Sequence, residues 1–153
     1  MYISRQVTIG QEYYVRVWPA SGSGSYQIAL NTSNEPPLYI IGSVTMLSAG
    51  SWADGLLGVG EAGGEQWFRF TATTSDNHSI HIRHGSIGRV NYQLYHSSGA
   101  TVGGSQGSGT SAGQSMYISR YVTIGQEYYV RVWPASGNGS YQIAFNMSTT
   151  PPN

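Results

Sequence analysis

The chain has 153 residues with no net charge, no cysteine and no lysine, and only 9% of its residues are charged, against about 25% in a typical soluble domain. A neutral surface lacks the basic footprint that nucleic acid or an anionic bilayer requires, and the missing thiols exclude thiol catalysis and Cys-based zinc sites. No run approaches the ~18–20 apolar residues of a membrane span; polarity comes from Ser, Thr, Asn, Gln and 21 Gly, beside 12 Tyr and 4 Trp, a composition that points outside the cytoplasm.

Residues 1–37 and 116–152 are nearly the same sequence. They agree at 31 of 37 positions at an offset of 115, differing only at Gln6/Tyr121, Ser23/Asn138, Leu30/Phe145, Thr32/Met147, Asn34/Thr149 and Glu35/Thr150. That period exceeds the ~20–50 residues of a solenoid repeat and suits a whole domain. The chain therefore reads as the closing strands of one repeat (1–37) followed by one complete repeat (38–152). Met1 aligns with the internal Met116, so a longer tandem array is expected.

Along the complete repeat the signals are for strand, and no helix is convincing. A weak strand falls at Ser43–Leu47. Gln66–Ala72 sets Phe68 and Phe70 on one face and Trp67 and Arg69 on the other; Ser79–Arg83 supplies Ile80 and Ile82, and Val90–Tyr95 supplies Val90, Tyr92 and Leu94. A second weak strand, Ala100–Val102, leads into the Gly/Ser loop 103–113. Met116–Ile124 contributes Ile118, Val122 and Ile124. Glu127–Trp133 alternates strictly, with Tyr128, Val130 and Val132 inward and Tyr129, Arg131 and Trp133 outward, while Ser140–Phe145 turns Tyr141, Ile143 and Phe145 inward. Pro134–Gly139 between them reads as a hairpin connection. The repeats agree with these faces: Leu30/Phe145 exchanges one apolar residue for another, and Gln6/Tyr121 mixes polar with aromatic. Asn34-Glu-Pro-Pro and Thr149-Thr-Pro-Pro read as semi-rigid linkers. Seven or eight short strands at this spacing predict an all-β fold: an antiparallel, jelly-roll-like β-sandwich with an extra partial repeat at the N-terminus.

Four elements in this order carry a family resemblance: Trp67-Phe-Arg-Phe-Thr71, Leu94-Tyr95 with Gly99 four residues on, Gly125-Gln-Glu-Tyr-Tyr-Val-Arg-Val132 and Gly139-Ser-Tyr-Gln-Ile143. The pattern resembles the bacterial pre-peptidase C-terminal domain over about residues 42–146, with 1–31 covering its last strands again. The resemblance implies a β-sandwich and a secreted accessory role, and it implies no catalytic residues. Collagen-binding relatives in that family hold calcium through an acidic N-terminal segment; this chain offers only Asp54, Glu61 and Glu65 there. Many members carry Asp before the Leu-Tyr strand, where this chain has Asn91.

Each candidate chemistry competes with a plainer reading. Gly103-Gly-Ser-Gln-Gly107 and Gly109-Thr-Ser-Ala-Gly113 spell the nucleophile-elbow motif, but that motif works only on a tight strand-to-helix turn with Asp and His partners. His78, His81 and His84 look like a metal cluster. On a strand, however, His81 points away from the other two, which lie about 20 Å apart if extended, so solvated strand histidines are expected. Glu61 and Glu65 are weak calcium candidates, since calcium sites usually gather more acidic groups. Otherwise no metal or cofactor is called for. The outward Tyr129 and Trp133, with Trp67 and Trp52 as possible neighbours, form a candidate aromatic platform on which sugars or proline-rich chains would stack. The plainer alternative is inter-sheet or inter-domain packing.

These residues predict a non-catalytic extracellular repeat module of a large bacterial surface or secreted protein, in adhesion, ligand binding or structural spacing. Two alternatives stand beside it: a substrate-targeting module of a secreted hydrolase, binding polysaccharide or collagen-like protein, and a self-assembling filament subunit. Segment 1–37 duplicates strands for which the chain has one front half, so it is expected to be buried, either in another chain's sheet by strand exchange or in an edge-to-edge contact that propagates into an oligomer. No lysine guards its edges.

Overall fold

The computed structural model describes residues 5–25, 28, 30, 40, 43–58, 64–107 and 113–153. Nine strands form within them: β1 Val44–Met46, β2 Ala53–Leu57, β3 Gln66–Thr71, β4 Asp76–His84, β5 Arg89–His96, β6 Gln106–Gly107, β7 Ser115–Val122, β8 Glu127–Ser136 and β9 Gly139–Asn146. They build two sheets, one of five strands in the order β1-β3-β8-β5-β6 and one of four in the order β2-β9-β4-β7. Pairing is antiparallel throughout, apart from β1, which lies parallel to β3. The result is an all-β sandwich.

Alternation decides which residues meet. Phe68 and Phe70 on β3 pair with Val130 and Tyr128 on β8, and Tyr92 and Leu94 on β5 pair with Val132 and Val130. In the facing sheet Ile80 lies between Phe145 and Ile118, and Ile82 pairs with Ile143. All of these side chains are buried, as the alternation predicts. Tyr129 and Arg131 remain half-exposed on the opposite face of β8, which fixes the register as read from the sequence. The tightest aromatic contact across the sandwich is Phe70 on Phe145, stacked at 4.4 Å.

Several expectations change. Pro134–Gly139 does not close a hairpin: β8 and β9 lie in different sheets, and the chain crosses between them where Gly137 and Gly139 take positive φ. A Cβ on Gly139 would sit 2.7 Å from the Ile87 backbone nitrogen, so the crossing runs against the loop before β5. An arch and a hairpin both turn apolar faces inward, so alternation alone does not separate them. Ile124 is 59% exposed, not inward, because β7 stops at Val122 and the chain turns at Gly125. Of the Gly/Ser loop, residues 106–107 pair with Tyr92 and Asn91 as a short edge strand, and Thr101 makes only an isolated bridge to Tyr95. β2 has no alternating sequence signal. It forms because Gly55 lets the Tyr141 ring pack against its backbone.

Segment 5–25 contains no strand and is exposed along its length, with Tyr14 85%, Val15 74% and Trp18 69% accessible. It does not close its own chain's sandwich.

Gly55 yields a direct test. A Cβ there would fall 2.2 Å from Tyr141 Cζ, so Gly55→Ala should destabilise the fold by about 1–3 kcal/mol as overpacking does. A lowered denaturation midpoint at unchanged m-value is expected. An unchanged midpoint would show that β2 can move off the ring freely.

Candidate functional site

The middle of the five-stranded sheet sets the site. β8 lies between β3 and β5, so its outward residues meet outward residues from both neighbours: Trp67 and Gln93 flank Arg131, Arg69 and Tyr95 flank Tyr129, and Asn91 pairs with Trp133. Sequence alternation foresaw that Tyr129, Trp133 and Trp67 share this face, and they do. Tyr129 and Trp133 are half-exposed. Trp67 is not available as a platform ring, being only 4% exposed. Tyr95 packs on it at 5.5 Å, and its indole N–H donates to Glu65 Oε1 at 2.8 Å. A strand residue beside two other strands is covered by its neighbours, and that cover depends on register. Trp52 lies elsewhere, on the outer side of the other sheet beside Arg83.

Charge braces the rings. Arg131 Nε donates to Glu65 Oε2 at 2.6 Å, its Nη2 pairs with the same oxygen, and its guanidinium carbon lies 4.9 Å from the Trp133 ring centroid. Arg69 pairs with Glu127 at 2.8 Å, and the Tyr129 hydroxyl donates to Glu127 at 2.5 Å. That hydrogen bond to a carboxylate holds the Tyr129 hydroxyl above the ordinary tyrosine pKa; partial burial and the charge of Glu127 push the same way. The arrangement presents two aromatic side chains separated by one arginine whose charge is already matched. It suits stacking against an uncharged ligand and offers no unpaired acid or base.

Of the two calcium candidates, Glu65 lies within the described residues and Glu61 outside them. Both oxygens of Glu65 are engaged, by Trp67 and by Arg131. Among the described residues no group of three or more His, Asp and Glu side chains is placed to hold a metal ion.

The histidines are not solvated as expected. His78, His81 and His84 are 2%, 0% and 3% exposed. The expected alternation holds: His78 faces inward, stacked 6.2 Å from Phe70 and from Phe145, while His81 lies on the outer face under Trp52 and Tyr117. Gly103–Gly107 leads into the two-residue edge strand β6, and Arg120 reaches into this loop and donates to the carbonyls of Val102 and Gly104. Most of Gly109–Gly113 lies outside the described residues.

A shallow cleft of about 470 Å³ opens where β2, β4 and β9 meet. Its polar groups largely satisfy one another: Gln142 donates to Asp54 at 2.9 Å and accepts from Arg83 at 3.4 Å, and Gln66 accepts from Tyr141 and from the Leu56 amide. Among the described residues no helix is long and apolar enough to cross a membrane.

No protein-family model matches the sequence, and no curated protein matches it. Among solved structures, the chain is similar to the pre-peptidase C-terminal domain of a collagenase from Bacillus anthracis. That similarity has a TM-score of 0.54 at 18% identity and covers 71% of this chain and 99% of that one. The fold is therefore the pre-peptidase C-terminal type that the strand motifs resemble.

Two measurements follow from this geometry. Glu65 and Arg131 touch across the sheet, so a double-mutant cycle with Glu65→Gln and Arg131→Gln should give a coupling of about 0.5–1 kcal/mol; additive losses would show that the pair contributes no mutual energy. Burial lowers the pKa of His84 below its usual 6.5. The unfolded chain then binds the proton first on acidification, so stability from this group is complete above that value and is lost as pH falls towards the folded-state pKa. The pH dependence of the unfolding free energy in that window should flatten in His84→Gln. An identical slope in both proteins would contradict it.

Proposed function

We propose that this chain is a non-catalytic extracellular β-sandwich repeat module of a large bacterial surface or secreted protein, acting in adhesion, ligand binding or structural spacing. The observation that carries the reading is the outer face of β8, where half-exposed Tyr129 and Trp133 flank the charge-compensated Arg131. Such a surface favours a neutral polysaccharide, whose C–H faces stack on aromatic rings. The fold similarity to a domain of a collagenase supports an extracellular location and an accessory, not enzymatic, role. It also supports the alternative of a substrate-targeting module of a secreted hydrolase, directed to polysaccharide or to collagen-like protein through the same face.

A second observation favours self-association. Tyr14, Val15, Trp18 and Leu30 are 69–97% exposed, yet their counterparts Tyr129, Val130, Trp133 and Phe145 lie in β8 and β9. Such a segment is suited to joining the sheet of a second copy by strand exchange. Concentration-dependent light scattering on the full chain tests this: a single monomeric species at all concentrations would remove it, and with it the filament reading.

For the ligand, affinity electrophoresis of the full chain through gels containing neutral polysaccharides should show retardation that Trp133→Ala reduces at least tenfold, with no requirement for calcium. Binding that survives Trp133→Ala, or that chelation abolishes, would refute the aromatic site.

A further inference from the structure

The outer face of the four-stranded sheet is not bare. Residues 146–152 cross it, held at both ends. At the near end Asn146 Oδ1 accepts from the Ser148 amide at 3.0 Å, its Nδ2 donates to Thr150 O at 3.0 Å, and the Thr150 amide donates to Ser148 Oγ at 3.0 Å. Beneath this turn lies His81, fully buried, whose Nε2 is 3.0 Å from both Asn146 Oδ1 and Ser148 O. Both partners are acceptors, so the proton sits on Nε2. At the far end the carbonyl of Pro152 accepts from the Trp52 indole N–H at 3.0 Å and from Arg83 Nη2 at 3.5 Å. Arg83 in turn lies 4.1 Å over the Trp52 ring.

We infer that Trp52, His81 and Arg83 form a peptide-binding site for an extended segment ending in Pro-Pro, which residues 148–152 occupy in cis. Chemistry selects the occupant. The two prolines fix their own φ, and the residue before the first is driven to extended backbone, so the segment is already ordered when it binds and loses little entropy. Proline-rich chains dock on aromatic-lined surfaces because their extended backbone is preformed, and here the Trp52 N–H adds a hydrogen bond to the Pro152 carbonyl. Thr149-Thr-Pro-Pro is therefore held down on its own domain and is not a free linker.

The duplicate segment supports the assignment. Residues 31–37 keep the side chains that make the strap, Asn31, Ser33, Pro36 and Pro37 for Asn146, Ser148, Pro151 and Pro152. The three positions that differ, Thr32/Met147, Asn34/Thr149 and Glu35/Thr150, lie between them, and Thr150 makes its two strap hydrogen bonds through backbone atoms. In this sequence residues 31–37 run directly into residue 38 and the sandwich beyond. The motif is thus one that joins units, and holding it fixes the point from which the following unit departs. That consequence for spacing rests on the repeat reading above; the binding site does not.

Nitrogen-15 relaxation on the full chain tests the site without reference to any external ligand. The amides of Ser148 and Thr150 should have order parameters near the ~0.85 of rigid backbone, falling below about 0.6 in Trp52→Ala and in His81→Gln. If Trp52→Ala does not fold, His81→Gln decides. Order parameters below about 0.6 in the unaltered chain, or values that neither substitution lowers, would overturn the inference. The polysaccharide experiment reads the other sheet, so either result can fail alone.

Discussion

β8 and β9 follow one another in the chain yet lie in the interiors of opposite sheets, so residues 137–138 must carry the backbone through the thickness of the sandwich. Everything else assembles around that crossing. β8 supplies the ladder for both β3 and β5, and β9 the ladder for both β2 and β4. Because the two strands are tied, the inward side chains of one sheet are held opposite those of the other. Contacts such as Phe70 on Phe145 at 4.4 Å follow from it. An aromatic pair of this kind adds about 0.5–1.5 kcal/mol beyond the area it buries.

The same arrangement gives the molecule two unlike outer faces. Over the five-stranded sheet, charges on neighbouring strands neutralise each other and leave Tyr129 and Trp133 partly open. Side-chain pairs with this much exposure contribute modestly to stability, so the chief effect of Glu65 and Glu127 is to position Arg131, Arg69 and the Tyr129 hydroxyl. Over the four-stranded sheet the chain covers itself. His81 is fully buried there although it points away from the core, because the strap, Trp52 and Tyr117 close over it.

Much of the site was legible because it depends on period-two alternation. Tyr129, Arg131 and Trp133 had to share a face once Tyr128, Val130 and Val132 were inward. The cover on Trp67 was not legible, since Tyr95 and Glu65 reach it only through the pairing of β3 and β5 to β8. The histidines misled for the same reason. Alternation placed His81 outward correctly, but what lies above an outward residue is set by segments distant in sequence, here Trp52 and residues 146–148. β2 left no pattern at all, since it depends on a glycine that fits one tyrosine ring.

The duplicated segment separates local from tertiary control within a single molecule. In both copies a tyrosine hydroxyl accepts from the threonine amide five residues upstream, Thr8 to Tyr13 at 3.0 Å and Thr123 to Tyr128 at 2.9 Å. Gly10 and Gly125 have φ of 78° and 75°, and in each copy an arginine lies over the tryptophan two residues on. These features close within a few residues, and the sequence by itself determined them wherever it occurred. Strand formation did not follow in residues 5–25. Tyr128 is 1% exposed and Tyr13 is 53% exposed, although the residues around them are nearly the same. A β-strand satisfies its backbone groups and buries its apolar face only against partners elsewhere in the chain. For 116–146 those partners are β2, β3, β4 and β5, and the tertiary structure alone decided which copy received them.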